Sequence, residues 1–290
     1  MKQLIVTADD FGLSIPVNEA VEDAHRRGIL TAASLMVGAP AFEDAVRRAR
    51  QMPDLGVGLH LVLLDGKPVL PPDSIPDLVD TDGNMPTRPH ETGAAIFLRP
   101  TVRRQVEAEM RAQFEAFRRT GLPLDHVNGH HHYHVHPNVV TLLIALGKEF
   151  GVRAVRVPYE PLWRSWRANG DGWWRRFGNT AIHLMTTTPM RHRLSSAGIA
   201  SNDVIFGLND SGAMTRDRVL RFIEQLPDGT SELYCHPATR RWPGPYVLPS
   251  SYRCVEEYEA LVDPDVVAAV RTAGIVLIPF AALARQQRAA

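Results

Sequence analysis

Two adjacent carboxylates, Asp9 and Asp10, follow a short apolar, β-branched run close to the start of the chain. An ionised side chain at the end of a buried strand is costly unless its charge is compensated, and a bound cation is a common compensator. Neighbouring side chains of a strand point to opposite sides, so we expect the two carboxylates to have different partners. Taken alone, the pair also fits a solvated turn. Histidines at or near three further strand ends, His60, His130 and His236, favour a metal site instead.

A run of histidines follows the fourth predicted strand and cannot supply a metal ligand at every position. If the run is extended, alternate histidines share one face: His130, His132, His134 and His136. Asp10, His60 and one of them would form a mixed oxygen and nitrogen site with open positions for water and substrate, which is typical of a catalytic metal. Its place at the strand end favours His130 as that ligand. A core or surface position is an equal alternative for three others: His131, which points away in this arrangement, His134 and His136.

The elements that must position these residues alternate between strand and helix. The hydrophobic pattern predicts strands from Leu4 and over 32–37, 55–64, 124–128, 153–157, 232–235 and 275–279. It predicts helices over 14–28, 41–52, 101–121, 137–151, 215–226 and 263–274. This alternation is typical of an α/β fold with a parallel sheet, and a closed or nearly closed barrel suits the length of 290 residues. The carboxyl ends of the strands then converge on one mouth, where barrel active sites lie.

Two stretches do not fit the alternation. Residues 65–100 are rich in Pro, Gly and Asp, and we interpret them as a long functional loop or lid. Residues 158–201 have no clear period and contain four of the five tryptophans. We therefore expect one domain over residues 1–290 with insertions near 65–100 and 158–201.

The composition excludes several classes of protein. Lys plus Arg equals Asp plus Glu at 32 each, so no excess positive charge supports nucleic acid as the main partner. Two cysteines are too few for a disulfide framework and indicate a reducing compartment. No secretory signal or membrane-spanning run is visible, so we expect a cytoplasmic protein. The sequence leaves assembly into a homo-oligomer open.

Four blocks resemble the YdjC-like carbohydrate deacetylases: Thr-Ala-Asp-Asp-Phe-Gly-Leu-Ser (7–14), Gly-Leu-His-Leu (58–61), Asp-His-Val-Asn-Gly-His-His-His (125–132) and Glu-Leu-Tyr-Cys-His-Pro (232–237). The resemblance covers nearly the whole chain. It implies a metal-dependent deacetylase of N-acetylated sugars on a distorted (β/α) barrel related to the polysaccharide deacetylases. Blocks 32–40 and 153–161 most resemble the hopanoid-biosynthesis-associated branch, which implies an N-acetylglucosaminyl hopanoid lipid as substrate.

The resemblance also implies roles for individual residues. Asp10, His60 and His130 would bind one divalent metal ion, either Mg²⁺ or Zn²⁺, while Asp9 would be the general base and His236 the general acid. Three further residues are expected to bind substrate: Arg156, His132 and Trp163. Arg156 also has two other interpretations, to steady Asp9 or to form a surface salt bridge. Many relatives carry Asp where this chain has Asn128, and a neutral amide there would orient the histidines without adding negative charge.

Two other functions stay open on the residues alone. A non-catalytic metal-binding protein would use the histidine cluster without needing Asp9 and His236. A barrel phosphodiesterase would reuse the metal ligands and should show several basic residues near the strand ends.

Residues 158–190 combine tryptophan and arginine, which favour the membrane–water interface. We expect this segment to contact the lipid part of a substrate and to make the protein peripheral to the inner membrane face. Packing in the core or in a subunit interface is the alternative for these tryptophans.

Overall fold

The architecture is an α/β barrel built on a parallel sheet, seen in a computed structural model that describes residues 1–244 and 246–289. The strands are β1 Lys2–Phe11, β2 Ala32–Leu35, β3 Gly56–Leu61, β4 Val127–Gly129, β5 Val204–Phe206, β6 Gly229–Cys235 and β7 Val276–Leu277. Every strand pairing is parallel, in the order β4-β3-β2-β1-β6-β5, and β7 joins the first half of β1. The predicted fold class, a distorted (β/α) barrel, is confirmed.

The gap between β4 and β5 is closed by an irregular segment rather than by the strand predicted over 153–157. Isolated bridges join Val155 to Val127 and Ala154 to Ala200. The amide of Ile205 donates to the carbonyl oxygen of Tyr159 at 2.9 Å. The two sides of this segment therefore pair at different residues, and no continuous ladder forms. This irregular closure distorts the barrel.

The helices are α1 Ile15–Arg27, α2 Phe42–Ala49, α3 Pro89–Leu98, α4 Pro100–Arg119, α5 Pro137–Phe150, α6 Leu162–Asn169, α7 Trp173–Ser196, α8 Arg216–Gln225, α9 Cys254–Val262, α10 Pro264–Thr272 and α11 Phe280–Ala289. The ends of three predicted helices follow the predicted signals. The Ser14 hydroxyl accepts from the Val17 amide at the start of α1, and Asp263 caps α10 in the same way. Gly151 ends α5 in the left-handed region. No helix in the described part of the chain has the length and apolar composition needed to cross a bilayer.

Both stretches expected to be irregular contain helices. Residues 65–100 include α3, whose buried side chains are only Thr92 and Ile96, so its apolar residues leave no clear helical period. Residues 158–201 contain α6 and the 24-residue α7. The period of α7 is hidden because most of its apolar side chains are exposed rather than aligned against the core.

The strand register brings the polar residues of the predicted mouth to one level. Ala8 in β1 pairs with Cys235 in β6, so Asp9 lies beside His236 in register. His60 in β3 pairs with Asn128 in β4. Residues 4–11 of β1 are all buried, as expected for the central strand of a sheet covered on both faces.

Candidate active site

A cavity of about 460 Å³ opens at the carboxyl ends of the strands. Its lining includes six of the residues singled out in the sequence: Asp9, Asp10, His60, His130, His132 and His236. They come from four strand ends that are far apart in the chain. The predicted convergence on one mouth is confirmed.

Asp10, His60 and His130 form a compact cluster in this cavity. Oδ1 of Asp10 lies 3.3 Å from Nε2 of His60 and 3.1 Å from Nδ1 of His130. Each residue offers a ligand atom within 4.8 Å of the other two. Oδ1 of Asp10 is buried and makes no hydrogen bond within the described residues, although both ring nitrogens are near. A buried oxygen that converges with two imidazole nitrogens without bonding them fits a shared cation.

The backbone of β1 is distorted where it presents Asp10. The register with β2 shifts between Ala8 and Phe11, and Asp10 has a φ of 61°. Aspartate tolerates this left-handed conformation better than most residues, and such strain is often found at functional sites. A bulge re-aims a side chain that a regular strand would direct elsewhere. The distortion therefore separates the environments of Asp9 and Asp10 beyond simple alternation.

Opposite charges within the cluster shift the pKa values of Asp10 and His130. Burial raises the pKa of Asp10, but the nearby histidine rings, chiefly His130, together outweigh burial and hold that pKa well below its usual range. Burial lowers the pKa of His130, but the nearby carboxylates, chiefly Asp10, together outweigh burial, and the net shift is upward. The cluster therefore stabilises an anionic Asp10 next to positive charge.

Asp9 faces a different partner, the guanidinium of Arg156. Nη1 of Arg156 donates to Oδ2 of Asp9 at 2.6 Å, and Nη2 donates to Oδ1 at 2.9 Å. Burial raises the pKa of Asp9, but the surrounding charges and hydrogen bonds, chiefly those of Arg156, together outweigh burial, and the net shift is strongly downward. Asp9 is thus a fixed carboxylate next to the cluster. The prediction that the two adjacent carboxylates have different partners is confirmed.

Comparison with known proteins identifies the family of this chain. The family profile described as "YdjC-like protein" matches residues 3–272. The chain belongs to this family. It is 35% identical to a carbohydrate deacetylase of Geobacillus stearothermophilus over 95% of this chain and 96% of that protein. It is 28% identical to a carbohydrate deacetylase of Thermoanaerobacter pseudethanolicus over 98% of this chain and all of that protein.

A solved structure supports the fold of this YdjC-like chain. The Enterococcus faecalis V583 protein, described as a candidate cellobiose-phosphate cleavage protein, superposes with a TM-score of 0.73 at 26% identity. The match covers 97% of this chain and 98% of that one. The overall fold is therefore shared across nearly the whole length.

Arg156 lies behind the cavity in this YdjC-like barrel. Its side chain is fully buried and is not part of the cavity lining, and a contact with substrate stays a prediction. Glu232 accepts from Nε and Nη2 of Arg156 at 2.9 and 2.7 Å, and the guanidinium stacks over the ring of Tyr234. Of the three interpretations, steadying Asp9 agrees with these contacts. Sequence reasoning gave Glu232 no role, although a carboxylate inside an apolar strand is the signal for a buried partner.

Asn128 links the two halves of the site. Nδ1 of His60 donates to Oδ1 of Asn128 at 2.7 Å, which leaves Nε2 of His60 free to face Asp10. The amide nitrogen of Asn128 donates to Oδ1 of Asp9 at 3.2 Å and to the Ser34 hydroxyl at 2.8 Å. The same amide therefore orients one predicted ligand and the predicted base.

A buried chain of hydrogen bonds fixes the direction of the Asn128 amide. Oδ2 of Asp125 accepts from Nδ1 of His126 at 2.9 Å, so Nε2 of His126 accepts from the Ser34 hydroxyl at 3.1 Å. The Ser34 oxygen is then free to accept from Asn128. Ser34 and His126 are fully buried, so this Asp-His-Ser order supports Asn128 and is not a nucleophilic triad. Sequence reasoning missed it; the signal was a serine within a buried apolar strand.

We expect Asn128→Ala to weaken metal binding about 10–100-fold, because His60 loses the acceptor that sets its ring and tautomer. Asn128→Asp keeps an acceptor for His60 but turns the donor toward Asp9 and Ser34 into a second carboxylate oxygen. It should therefore retain more metal than Asn128→Ala while losing turnover. Calorimetric metal titration and kinetics on both variants measure this. Equal metal affinity of Asn128→Ala and the wild type would contradict the orienting role.

The histidine run is a turn and not an extended strand, which corrects the predicted alternation. Residues His130–Val135 form a 3₁₀ turn, and His131 and His132 have φ values of 53° and 54°. His132 lines the cavity, as expected for a substrate contact, and burial lowers its pKa. His134 is buried and bonds the carbonyl oxygen of Arg156, while His136 caps α5. The last two are therefore structural.

His236 lies at the end of β6, beside Asp9 in register. Its amide donates to Glu257 at 2.6 Å, and the other oxygen of Glu257 accepts from the amide of Met214. Burial raises the pKa of Glu257 to about 7. Burial lowers the pKa of His236, against the opposing effect of Asp10. Nδ1 of His236 is buried without a partner in the described residues, so the ring has unused hydrogen-bonding capacity.

Trp163, also expected to bind substrate, lies on the barrel surface. It lies on α6, is 57% exposed, and does not line the cavity that holds the metal cluster. Its ring packs against Trp166 and Trp173 on the surface of the barrel. A contact between Trp163 and substrate stays a prediction.

Proposed function

We propose that this chain is a divalent-metal-dependent amide hydrolase that removes the acetyl group from an N-acetylated amino sugar. The observation that carries the proposal is the convergence of Asp10, His60 and His130 with a non-ligating carboxylate, Asp9, and a histidine, His236, at one barrel mouth. Carbohydrate deacetylases with 28% to 35% identity over nearly the full length support the same reaction.

Asp10, His60 and His130 would hold the divalent ion, and one carboxylate with two imidazoles suits either Mg²⁺ or Zn²⁺. When bound, such an ion lowers the pKa of water and polarises an acyl oxygen. The unpartnered Oδ1 of Asp10 and the free Nε2 of His60 are the atoms that this role requires.

Asp9 would take the proton of the attacking water. Its Oδ1 accepts two hydrogen bonds, but its Oδ2 accepts one, so a lone pair on Oδ2 is available for that proton. The low pKa keeps Asp9 ionised before the reaction, and Arg156 holds its plane fixed. The position of Asp9 next to the cluster, without belonging to it, supports this role.

His236 would give a proton to the departing amine as the carbon–nitrogen bond breaks. Its lowered pKa makes the protonated ring a stronger acid, which favours transfer to an amine. The products are acetate and the free amino sugar. The proton taken by Asp9 then returns to solvent, and His236 regains a proton from solvent.

Replacing His236 by Ala should reduce the hydrolysis of an acetamide by roughly 10²–10⁴-fold. It should affect nitrophenyl acetate much less, because a nitrophenolate leaves without a proton. Steady-state kinetics of one enzyme preparation on both substrates gives the comparison. Equal losses on both substrates would assign His236 a supporting role.

We further propose that the amino sugar is carried by a hopanoid lipid, with N-acetylglucosaminyl bacteriohopanetetrol converted to its glucosaminyl form. The motif resemblance of residues 32–40 and 153–161 favours this substrate. The apolar part of the cavity lining also supports a substrate with a non-polar portion: Leu13, Met36, Val62, Leu208 and Leu248.

The decisive experiment is acetate release by the purified protein with Mg²⁺ or Zn²⁺, using a lipid-linked and a free N-acetylglucosaminide. A bis-nitrophenyl phosphate arm tests the phosphodiesterase alternative. Within the described lining of the cavity, Lys67 is the one lysine or arginine, which gives little support for an anionic substrate. Acetate release from either sugar supports deacetylation, and faster release from the lipid-linked sugar supports the hopanoid substrate. Metal binding without acetate release would support the alternative function, a non-catalytic metal-binding protein.

A further inference from the structure

We propose that helices α6 and α7 form a docking surface for an anionic lipid bilayer. The surface consists of six exposed large hydrophobic side chains: Trp163, Trp174, Phe177, Ile182, Leu184 and Met185. They are half of the twelve such side chains exposed in the described part of the chain. Soluble proteins seldom gather this much apolar surface in one place without a partner.

The middle of α7 stands away from the barrel. No side chain from residue 177 to 186 is buried, whereas Arg176 before it and Thr187, Met190 and Leu194 after it are. Exposed apolar residues recur at spacings of three, four and four, which places them on one face of the helix: Trp174, Phe177, Ala181 and Met185. The exposed face is therefore an apolar stripe of an ordered helix, as in helices that lie in a membrane interface.

A buried ion network fixes this helix to the barrel. The Arg176 guanidinium donates to both oxygens of Asp210 at 2.8 and 2.9 Å, and to the Ser165 hydroxyl at 2.6 Å. It also pairs with Asp171 at 2.8 Å. Through Ser165 in α6 and Arg176 in α7, this network joins the two helices to each other and to Asp210.

The charge of this surface selects the occupant. Residues 162–196 contain six arginines and a single acidic residue, Asp171, although the whole chain is balanced. Asp171 is engaged by Arg176, and three arginines stay exposed without an ion pair in the described residues: Arg164, Arg167 and Arg175. Basic residues beside an apolar stripe attract anionic lipid headgroups. A second copy docked symmetrically would bring two basic faces together, which is unfavourable.

The surface adjoins the cavity. Two residues of α7 contact Asn209. Nη1 of Arg175 donates to the carbonyl oxygen of Asn209 at 2.7 Å, and Nδ2 of Asn179 donates to Oδ1 of Asn209 at 2.9 Å. Leu208, the preceding residue, lines the cavity. Docking would therefore hold the cavity next to the headgroups. Bilayer binding does not itself depend on the proposed deacetylation.

Flotation with vesicles tests the proposal. The wild type should float with phosphatidylglycerol vesicles, less at high salt, and much less with phosphatidylcholine alone. Arg164→Gln with Arg167→Gln should lower the partition coefficient about thirtyfold on anionic vesicles. Trp174→Ser, Phe177→Ser and Met185→Ser combined should abolish flotation. Phe97→Ser with Leu98→Ser is the matched control, since both are exposed apolar residues on α3, and it should float normally.

Circular dichroism confirms that each variant is folded, and Asp9→Asn should float like the wild type because catalysis plays no part. Absence of flotation by the folded wild type would overturn the proposal. The proposal would also be overturned if the wild type does not float but forms a dimer by light scattering, and the α7 triple variant is monomeric. The apolar surface would then be a contact between two copies of the chain. Equal binding to anionic and zwitterionic vesicles would refute the assignment to anionic lipid.

Discussion

Replacing Asp9 by Asn should leave the bound metal in place while lowering turnover by roughly two to four orders of magnitude. Asn has nearly the same shape but accepts at one atom and cannot take a proton there. Because the Asn side chain is neutral, the ion pair with Arg156 is also lost. Its amide nitrogen would face either the guanidinium of Arg156 or the cavity. Metal content and kinetics on the same preparation separate the two effects.

Arg156→Lys is the companion variant for Asp9→Asn. It keeps a positive charge but loses the bidentate geometry that holds the plane of Asp9, so it should lower turnover less than Asp9→Asn does. Removing one partner of a buried pair is costly, and thermal unfolding of both variants must therefore be compared. Near-normal turnover of folded Asp9→Asn would refute the base assignment and leave Asp9 as the anchor of Arg156.

Those features of the fold and of the site that depend on local sequence patterns could be predicted from the sequence. Alternating strand and helix signals with charged strand ends placed Asp10, His60 and His130 at one mouth, because parallel strands share the direction of their ends. Helix caps such as Ser14 were also predictable, since a cap depends on its own few residues.

What could not be predicted depends on contacts between distant segments. From the sequence, Arg156 fits a contact with substrate, a contact with Asp9 or a surface salt bridge, and its buried partners became visible only in its contacts with Asp9 and Glu232. The left-handed turn at His131 and His132 breaks an alternation that their residue type alone would allow. The sequence of α7 shows no clear helical period of apolar residues, because its exposed face carries apolar side chains of the kind that usually mark a buried face.

The largest loss is expected for His130→Ala, which should remove both the bound metal and the activity. His130 supplies one of two imidazole nitrogens to the cluster, and no other histidine ring of the run is grouped with Asp10 and His60 in the described residues. A ligand that binds only the folded state, at a free concentration of a hundred times its dissociation constant, raises the free energy of unfolding by about 2.7 kcal/mol. Added Zn²⁺ or Mg²⁺ should therefore raise the melting temperature of the wild type and leave that of His130→Ala unchanged.

His131→Ala is the matched control for that experiment, because it removes the neighbouring ring, which contacts Asp65 instead of Asp10. It should retain metal, metal-dependent stabilisation and most activity. Chelation of the wild type should reproduce the His130→Ala result, and readdition of the divalent ion should reverse it only where His130 is present. If His131→Ala loses the metal and His130→Ala retains it, the metal lies outside the cluster of Asp10, His60 and His130. That outcome would also remove the reason why Asp10 adopts its left-handed backbone and leaves Oδ1 without a hydrogen bond.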